Sequence, residues 1–85
     1  MALLKKTITV TDAEGKTHQV SIREWRVDEQ TRIEDSKPQV IEYVRLNLDA
    51  AGQAVLPTLG LREAQRIHDA IIKLNWGPDE TVAGN

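Results

Sequence analysis

Few residues of this sequence have the types and spacing that enzyme or metal chemistry requires. His18 and His68 lack both a neighbouring cysteine and the carboxylate spacing of a metal site. Ser21 and Ser36 lie outside any nucleophile motif, and the glycines do not form a phosphate-binding loop. The sequence therefore predicts a protein that is not an enzyme and that uses no metal or other cofactor.

A second group of residues has the types that single-stranded nucleic acid requires. Guanidinium and ammonium groups bind phosphates, while aromatic rings stack on bases. The candidate binding residues are Lys5, Lys16, Arg23, Trp25, Arg26, Tyr43 and Arg45. Trp25 would stack on a base only if it is exposed, and the parity that it shares with Val27 favours a position in the core. The same composition is also typical of an ordinary solvated sheet face, on which threonine, arginine and lysine are common. In either case, strands must place these residues on one surface.

Alternation of apolar and polar residues predicts four antiparallel strands. We expect them at residues 5–11, 17–27, 40–48 and 54–59, with turns at 12–16 and 49–53 and a polar loop at 28–39. Gly15 can adopt a positive φ angle in the first turn, and Pro57 restricts the fourth strand to an edge. The apolar parity of the second strand changes after Ile22. This change indicates either a bulge near residues 23–24 or a strand that ends at Arg23.

Residues 61–75 repeat apolar side chains every three or four positions, which predicts an amphipathic helix. The stripe expected to face the core is Leu61, Ala64, Ile67, Ile71 and Leu74. Gly60 is the expected N-cap, and Gly77 followed by Pro78 ends the helix.

The predicted fold class is α+β, a four-stranded antiparallel sheet followed by one C-terminal helix (ββββα). The helix covers one sheet face and leaves the other open. Residues 1–77 form a single domain, and residues 78–85 form a flexible tail.

Length and composition set further expectations. A chain of 85 residues without cysteine has a thin core and no disulfides, so we expect a homodimer, with Trp76 as one possible contact. The apolar start is stopped by Lys5 and Lys6, too early for a secretory signal or a membrane span, which predicts a cytoplasmic protein with no membrane partner. A net charge of −2 argues against tight sequence-independent binding to duplex DNA.

Three short motifs lie in the first hairpin: ITVTD at residues 8–12, EGK at 14–16 and VSIREW at 20–25. Together with the strand–turn–strand order over residues 8–27, this hairpin resembles the transcriptional positive cofactor four family, small coactivators that bind single-stranded DNA. The resemblance implies a ββββα subunit, dimerisation and strands that face unpaired DNA. The matching positions most relevant to binding are Lys16, Arg23 and Trp25.

Two functional hypotheses follow. The first is a small non-catalytic binding module that holds single-stranded nucleic acid on the open sheet face, as a transcription cofactor would. The second is a protein–protein interaction module, such as a phage or mobile-element accessory or inhibitor protein, that acts through the acidic segment 28–35 or through an exposed strand edge. Charge placement separates them, because a basic sheet indicates nucleic acid and an acidic segment indicates a basic protein surface.

Overall fold

The computed structural model describes residues 2–77, which form two strands, four α-helices and one 3₁₀ turn. Their order is β1 (Lys5–Thr11), β2 (Thr17–Arg23), α1 (Val27–Ser36), α2 (Val40–Asn47), α3 (Ala50–Val55), the 3₁₀ turn (Leu56–Thr58) and α4 (Leu61–Trp76). The chain is α+β, but the predicted ββββα architecture is wrong. A two-stranded sheet and four helices take its place.

The first hairpin has the predicted turn. Strands β1 and β2 pair antiparallel, with Ile8 opposite Val20 and Thr7 opposite Ser21. Gly15 has φ +87°, which only glycine adopts without strain. The Asp12 carboxylate accepts hydrogen bonds from the backbone N–H groups of residues 14 and 16, each at 2.9 Å, so the turn is closed locally.

Strand β2 ends at Arg23, so the predicted strand to residue 27, with its bulge, is wrong. The cause is the buried side chain of Asn47. Its Oδ1 accepts from the Arg23 backbone N–H and its Nδ2 donates to the Arg23 carbonyl, both at 2.9 Å. One side-chain amide thus takes the place of a neighbouring strand. The next residue but one, Trp25, donates its backbone N–H to Asn75 of α4.

The predicted polar loop at 28–39 is mainly helix α1. Glu29 accepts the backbone N–H of Arg26 at 2.9 Å, so a side chain satisfies one of the amides at the start of the helix. Asp28 and Glu29 both lie in the first turn, where the helix dipole favours negative charge. Helix α1 ends at Lys37, which has left-handed backbone angles (φ 47°), and Pro38 follows.

The predicted third strand, 40–48, is helix α2. Its residues alternate weakly, but Val40, Tyr43 and Val44 also recur at helical spacing, and the helix buries Tyr43, Val44 and Asn47. A strand would place Tyr43 and Val44 on opposite faces. Burial of both, together with Asn47, favours the helix.

The predicted turn at 49–53 and fourth strand at 54–59 are also wrong. Asp49 caps helix α3 by accepting the backbone N–H of Gly52 at 2.8 Å. Pro57 then lies in the first positions of the 3₁₀ turn, where its missing N–H costs nothing. The contact of this segment with the hairpin is an isolated bridge between Leu59 and Asp12, at which the Thr58 carbonyl accepts the backbone N–H of Ala13 at 2.9 Å.

Helix α4 confirms the predicted amphipathic helix, with Gly60 as its N-cap. Ala64, Ile67 and Ile71 are buried in it. They join a core that also contains residues of the hairpin and of α2; its most deeply buried side chains are Val10, Ile22, Val44, Asn47, Ile67 and Ile71.

Within residues 2–77, no helix is long and apolar enough to cross a membrane. The predicted tail, 78–85, lies outside the described residues.

Candidate functional site

The two predicted stacking residues lie in the core. Trp25 is 7% exposed and Tyr43 is 8% exposed. The indole Nε1–H of Trp25 donates to the Tyr43 hydroxyl at 3.0 Å, and the two rings meet edge to face with centroids 5.5 Å apart. The Tyr43 ring also lies 5.1 Å from the His68 ring. These aromatic side chains therefore stabilise the fold and have no free face for a base.

All three predicted phosphate-binding arginines are paired with carboxylates. Arg23 donates both terminal nitrogens to Glu29, at 2.8 Å each, and its guanidinium lies 5.0 Å from the Trp25 ring centroid. Arg26 contacts Asp28 at 3.1 Å, and Arg45 contacts Glu42 one turn earlier on α2. Arg26 also lies 3.8 Å from Glu29, so Arg23 and Arg26 meet at one carboxylate, whereas Arg45 is paired separately on α2.

The Arg23–Glu29 pair has a clear electrostatic signature. Hydrogen bonds from the Arg23 guanidinium are the main cause that lowers the pKa of Glu29 from 4.5 to about 2. The same contact raises the pKa of Arg23. Bidentate arginine–carboxylate pairs of this kind are among the stronger side-chain contacts in proteins. The pair joins the end of β2 to the first turn of α1.

The two predicted lysines lie at opposite ends of the hairpin. Lys5 begins β1, opposite Arg23, whereas Lys16 lies in the turn. At about 3.3 Å per residue, the length of β1 separates them by about 20 Å. The outward face between them is polar, since Thr7, Thr9, Gln19 and Ser21 alternate with the core residues. The structure brings five of the seven candidate residues together near the end of β2: Lys5 lies opposite Arg23, Arg26 shares Glu29 with Arg23, and Trp25 contacts both Arg23 and Tyr43. Lys16 lies at the other end of the hairpin, and Arg45 contacts Glu42 on α2.

A different feature, an apolar groove between α2, the 3₁₀ turn and the start of α4, was not predicted. We call it the α2–α4 groove; its volume is about 300 Å³. Its apolar lining consists of Ile41, Leu56, Pro57, Leu59, Leu61 and Ala64, and its polar lining consists of Arg45 and Gln53. No charged residue other than Arg45 lines it.

The groove has a buried floor and an exposed apolar mouth. Leu56 and Ala64 are 7% and 3% exposed, whereas Leu61 is 79% exposed and Ile41 is 41% exposed. The prediction that Leu61 faces the core is therefore wrong. Leu61 is the first residue of α4. The sequence signal for this exposed surface was Leu61 itself, a large apolar residue that the core does not need.

Side-chain hydrogen bonds hold the polar rim of the groove in place. The Nε2 of Gln53 donates to the carbonyl oxygens of Arg45 and Leu48, both at 3.1 Å, and so joins α3 to the end of α2. These carbonyls are among those that a helix end leaves without partners. The walls of the groove are thus fixed relative to each other by backbone-directed contacts.

The remaining titratable cluster is structural. His18 Nε2 lies 2.9 Å from the Asp12 carboxylate. The contact with His18 and the backbone hydrogen bonds from residues 16 and 14 lower the pKa of Asp12. Within residues 2–77, no group of three or more histidine or carboxylate side chains is arranged to hold a metal ion.

Comparison with known proteins found no matching family model, no matching curated protein and no matching solved structure. The resemblance of the first hairpin to the transcriptional positive cofactor four family therefore stays a prediction. The ββββα subunit that this resemblance implies differs from the observed fold, since residues 40–59 contain helices and not strands.

Proposed function

We propose that this protein is a protein-interaction module that binds an apolar anchor of a partner protein in the α2–α4 groove. The observation that carries the proposal is the exposure of Leu61 and Ile41 at the mouth of a groove whose floor is buried. Single exposed apolar residues are normal on protein surfaces, but a grouped apolar patch beside a concavity is typical of an interaction site.

The size of the groove favours a side-chain anchor over a small-molecule cofactor. Ligand pockets commonly range from about 300 to 1,000 Å³, so this groove lies at the lower limit. Apart from Arg45 and Gln53, its lining offers few polar groups that could orient a small ligand. A volume of this size suits one or two large apolar side chains, the usual anchors of a protein interface.

The charge of the groove lining indicates the chemistry of the partner. Arg45 is the only charged residue in the lining, and its partner, Glu42, is one turn away on an exposed helix face. Exposed pairs of this kind contribute only about 0–1 kcal/mol. The Arg45 guanidinium can therefore exchange Glu42 for a carboxylate of the partner at little cost. The occupant to which we commit is an apolar segment with an acidic residue beside its anchor.

Binding of single-stranded nucleic acid stays a prediction with less support. It needs an aromatic platform and free cations on one face. Trp25 and Tyr43 are buried, and Arg23, Arg26 and Arg45 are paired with carboxylates. The homodimer also stays a prediction, and the experiment below can detect it.

Two matched variants test the proposal. Leu61 and Val27 are each the first residue of a helix, and they are 79% and 85% exposed, but only Leu61 lines the groove. Selection of displayed peptides on the wild-type protein should enrich sequences with an apolar anchor and an adjacent carboxylate. We expect Leu61→Glu to weaken their binding at least tenfold and Val27→Glu to leave it within twofold.

A pull-down from nuclease-treated lysate of the native host extends this test to natural partners. A stoichiometric protein that is lost with Leu61→Glu and retained with Val27→Glu supports the groove. Equal capture by both variants, or selected peptides without the expected chemistry, contradicts the proposal. Retention of labelled oligonucleotide at low salt with both variants would favour the nucleic-acid hypothesis. Self-association that Leu61→Glu abolishes would make a second copy the occupant.

A further inference from the structure

Helix α1 places a mainly polar face over an apolar surface. Four of its residues recur at the spacing of one helix face and line a cleft with residues from outside the helix. The lining is Glu29, Arg32, Ile33 and Ser36 of α1, together with Trp25 and Leu46. The cleft has a volume of about 230 Å³. Protein interiors are normally close-packed, so α1 fits poorly on the surface beneath it.

The exposure of its side chains also indicates that α1 packs weakly on the rest of the protein. No residue of α1 is buried. Val27 is 85% exposed, and Ile33 is the one apolar residue of the helix that packs against the core. An isolated helix of ten residues is marginal in water, because most helix stability in proteins comes from packing of an apolar face. The position of α1 therefore depends on the contacts at its ends.

The backbone changes direction at each end of α1, and one strong ion pair joins its first turn to β2. Arg26 has extended backbone angles before the helix, and Lys37 has left-handed angles after it, followed by Pro38. Arg23 binds Glu29 through two hydrogen bonds of 2.8 Å. Among residues 2–77, this is the only ion pair that joins α1 to another strand or helix.

We infer that α1 is a hinged cover, held closed by the Arg23–Glu29 ion pair, that opens to expose Trp25 beside the already exposed Leu46 while the hairpin and α4 stay folded. Segments with few buried apolar contacts open locally at a lower free energy than the core does. The breaks at Arg26 and Lys37 allow α1 to move as a unit. Opening would present a second apolar surface, and the inference does not depend on the α2–α4 groove.

Native-state hydrogen exchange on the full chain tests the inference without any variant. We expect the hydrogen-bonded amides of α1 to exchange at least tenfold faster than those of Ile67 and Ile71 in α4. Exchange of both helices at one common rate would overturn the inference, because it would show a single cooperative unit.

Two glutamates of α1 provide a matched pair of variants. Glu29→Gln removes the ion pair to Arg23, whereas Glu34→Gln removes the same charge from a side chain that accepts only from Gln30. We expect Glu29→Gln to accelerate α1 exchange at least fivefold further without a change in α4, and Glu34→Gln to have no effect. Equal acceleration of α1 and α4 by Glu29→Gln would show global destabilisation and contradict the hinge.

Fluorescence reports the same opening through Trp25. Replacement of the exposed Trp76 by phenylalanine leaves Trp25 as the only tryptophan. In that background, we expect Glu29→Gln to raise the acrylamide quenching constant of Trp25 at least twofold, with Glu34→Gln at the reference value. Unchanged quenching in Glu29→Gln would contradict exposure of Trp25 by movement of α1.

Discussion

Asn47 offers the sharpest test of how this fold is held together. Its side chain is 1% exposed and pairs with both backbone groups of Arg23 at the end of β2. The Arg23 carbonyl has a second, longer contact with Asn75 at 3.5 Å, whereas the Arg23 N–H has no other partner within residues 2–77. Replacement of Asn47 by alanine therefore leaves one donor unpaired and one acceptor weakly paired.

The expected cost follows from these two groups. An unpaired buried polar group costs about 1–3 kcal/mol, and the weakly paired carbonyl adds about 1 kcal/mol. We therefore expect Asn47→Ala to lower the free energy of unfolding by about 2–4 kcal/mol. A domain of this size changes its Tm by roughly 4–8 °C per kcal/mol, so the Tm should fall by at least about 8 °C.

Urea unfolding followed by circular dichroism measures the change, and a constant m-value would show that the unfolded state is unaffected. Thr7→Ala is a suitable control, because Thr7 lies exposed on the outward face of β1; we expect a change within about 0.5 kcal/mol. A loss below about 1 kcal/mol for Asn47→Ala, with the m-value unchanged, would refute the view that this amide replaces a neighbouring strand.

Two further predictions concern backbone strain and pH. Gly15→Ala should lower the free energy of unfolding by about 1 kcal/mol because φ is +87°, although open space surrounds the new Cβ; thermal melts of the variant and wild type measure this, and an unchanged Tm would contradict it. The pKa of Glu29 is lowered from 4.5 to about 2, so the stability from the Arg23 contact is full above about pH 4.5 and is lost as the pH falls through 2. Urea unfolding at pH 7, 4 and 2.5 should therefore show a difference between wild type and Glu29→Gln that shrinks on acidification, and a constant difference would contradict the assignment.

The elements that sequence reasoning predicted correctly have local causes. The hairpin from Lys5 to Arg23 depends on a turn that Gly15 and Asp12 close by themselves, and on residue alternation that matches one buried face. Helix α4 has 16 residues with a regular apolar stripe, more than chance alternation produces. Local signals of this kind do not depend on the structure of the rest of the chain.

Residues 24–59 contain no such signal. Val40, Val44, Leu46 and Leu48 alternate as a strand does, whereas Val40, Tyr43 and Val44 also fit a helix. Short apolar segments of this kind do not distinguish the two structures by periodicity. The hairpin and α4 decided between the two structures, because together they provide a surface that a helix covers and leave the outer edge of β2 at Arg23 without a neighbouring strand. Asn47 contacts Arg23 from the last residue of helix α2.

In the candidate site, too, some features could be read from the sequence and others depended on tertiary contacts. Charge and aromatic type indicated which residues could bind nucleic acid, but pairing decided their roles, since Glu29, Asp28 and Glu42 occupy the three guanidiniums. The α2–α4 groove joins residues from four elements between positions 41 and 64, and no local pattern links them. Sequence alone determined the elements whose hydrogen bonds and apolar periodicity close within a few residues. Tertiary structure decided the ambiguous segments, the partners of the charges and the groove, because these depend on contacts between residues far apart in the chain.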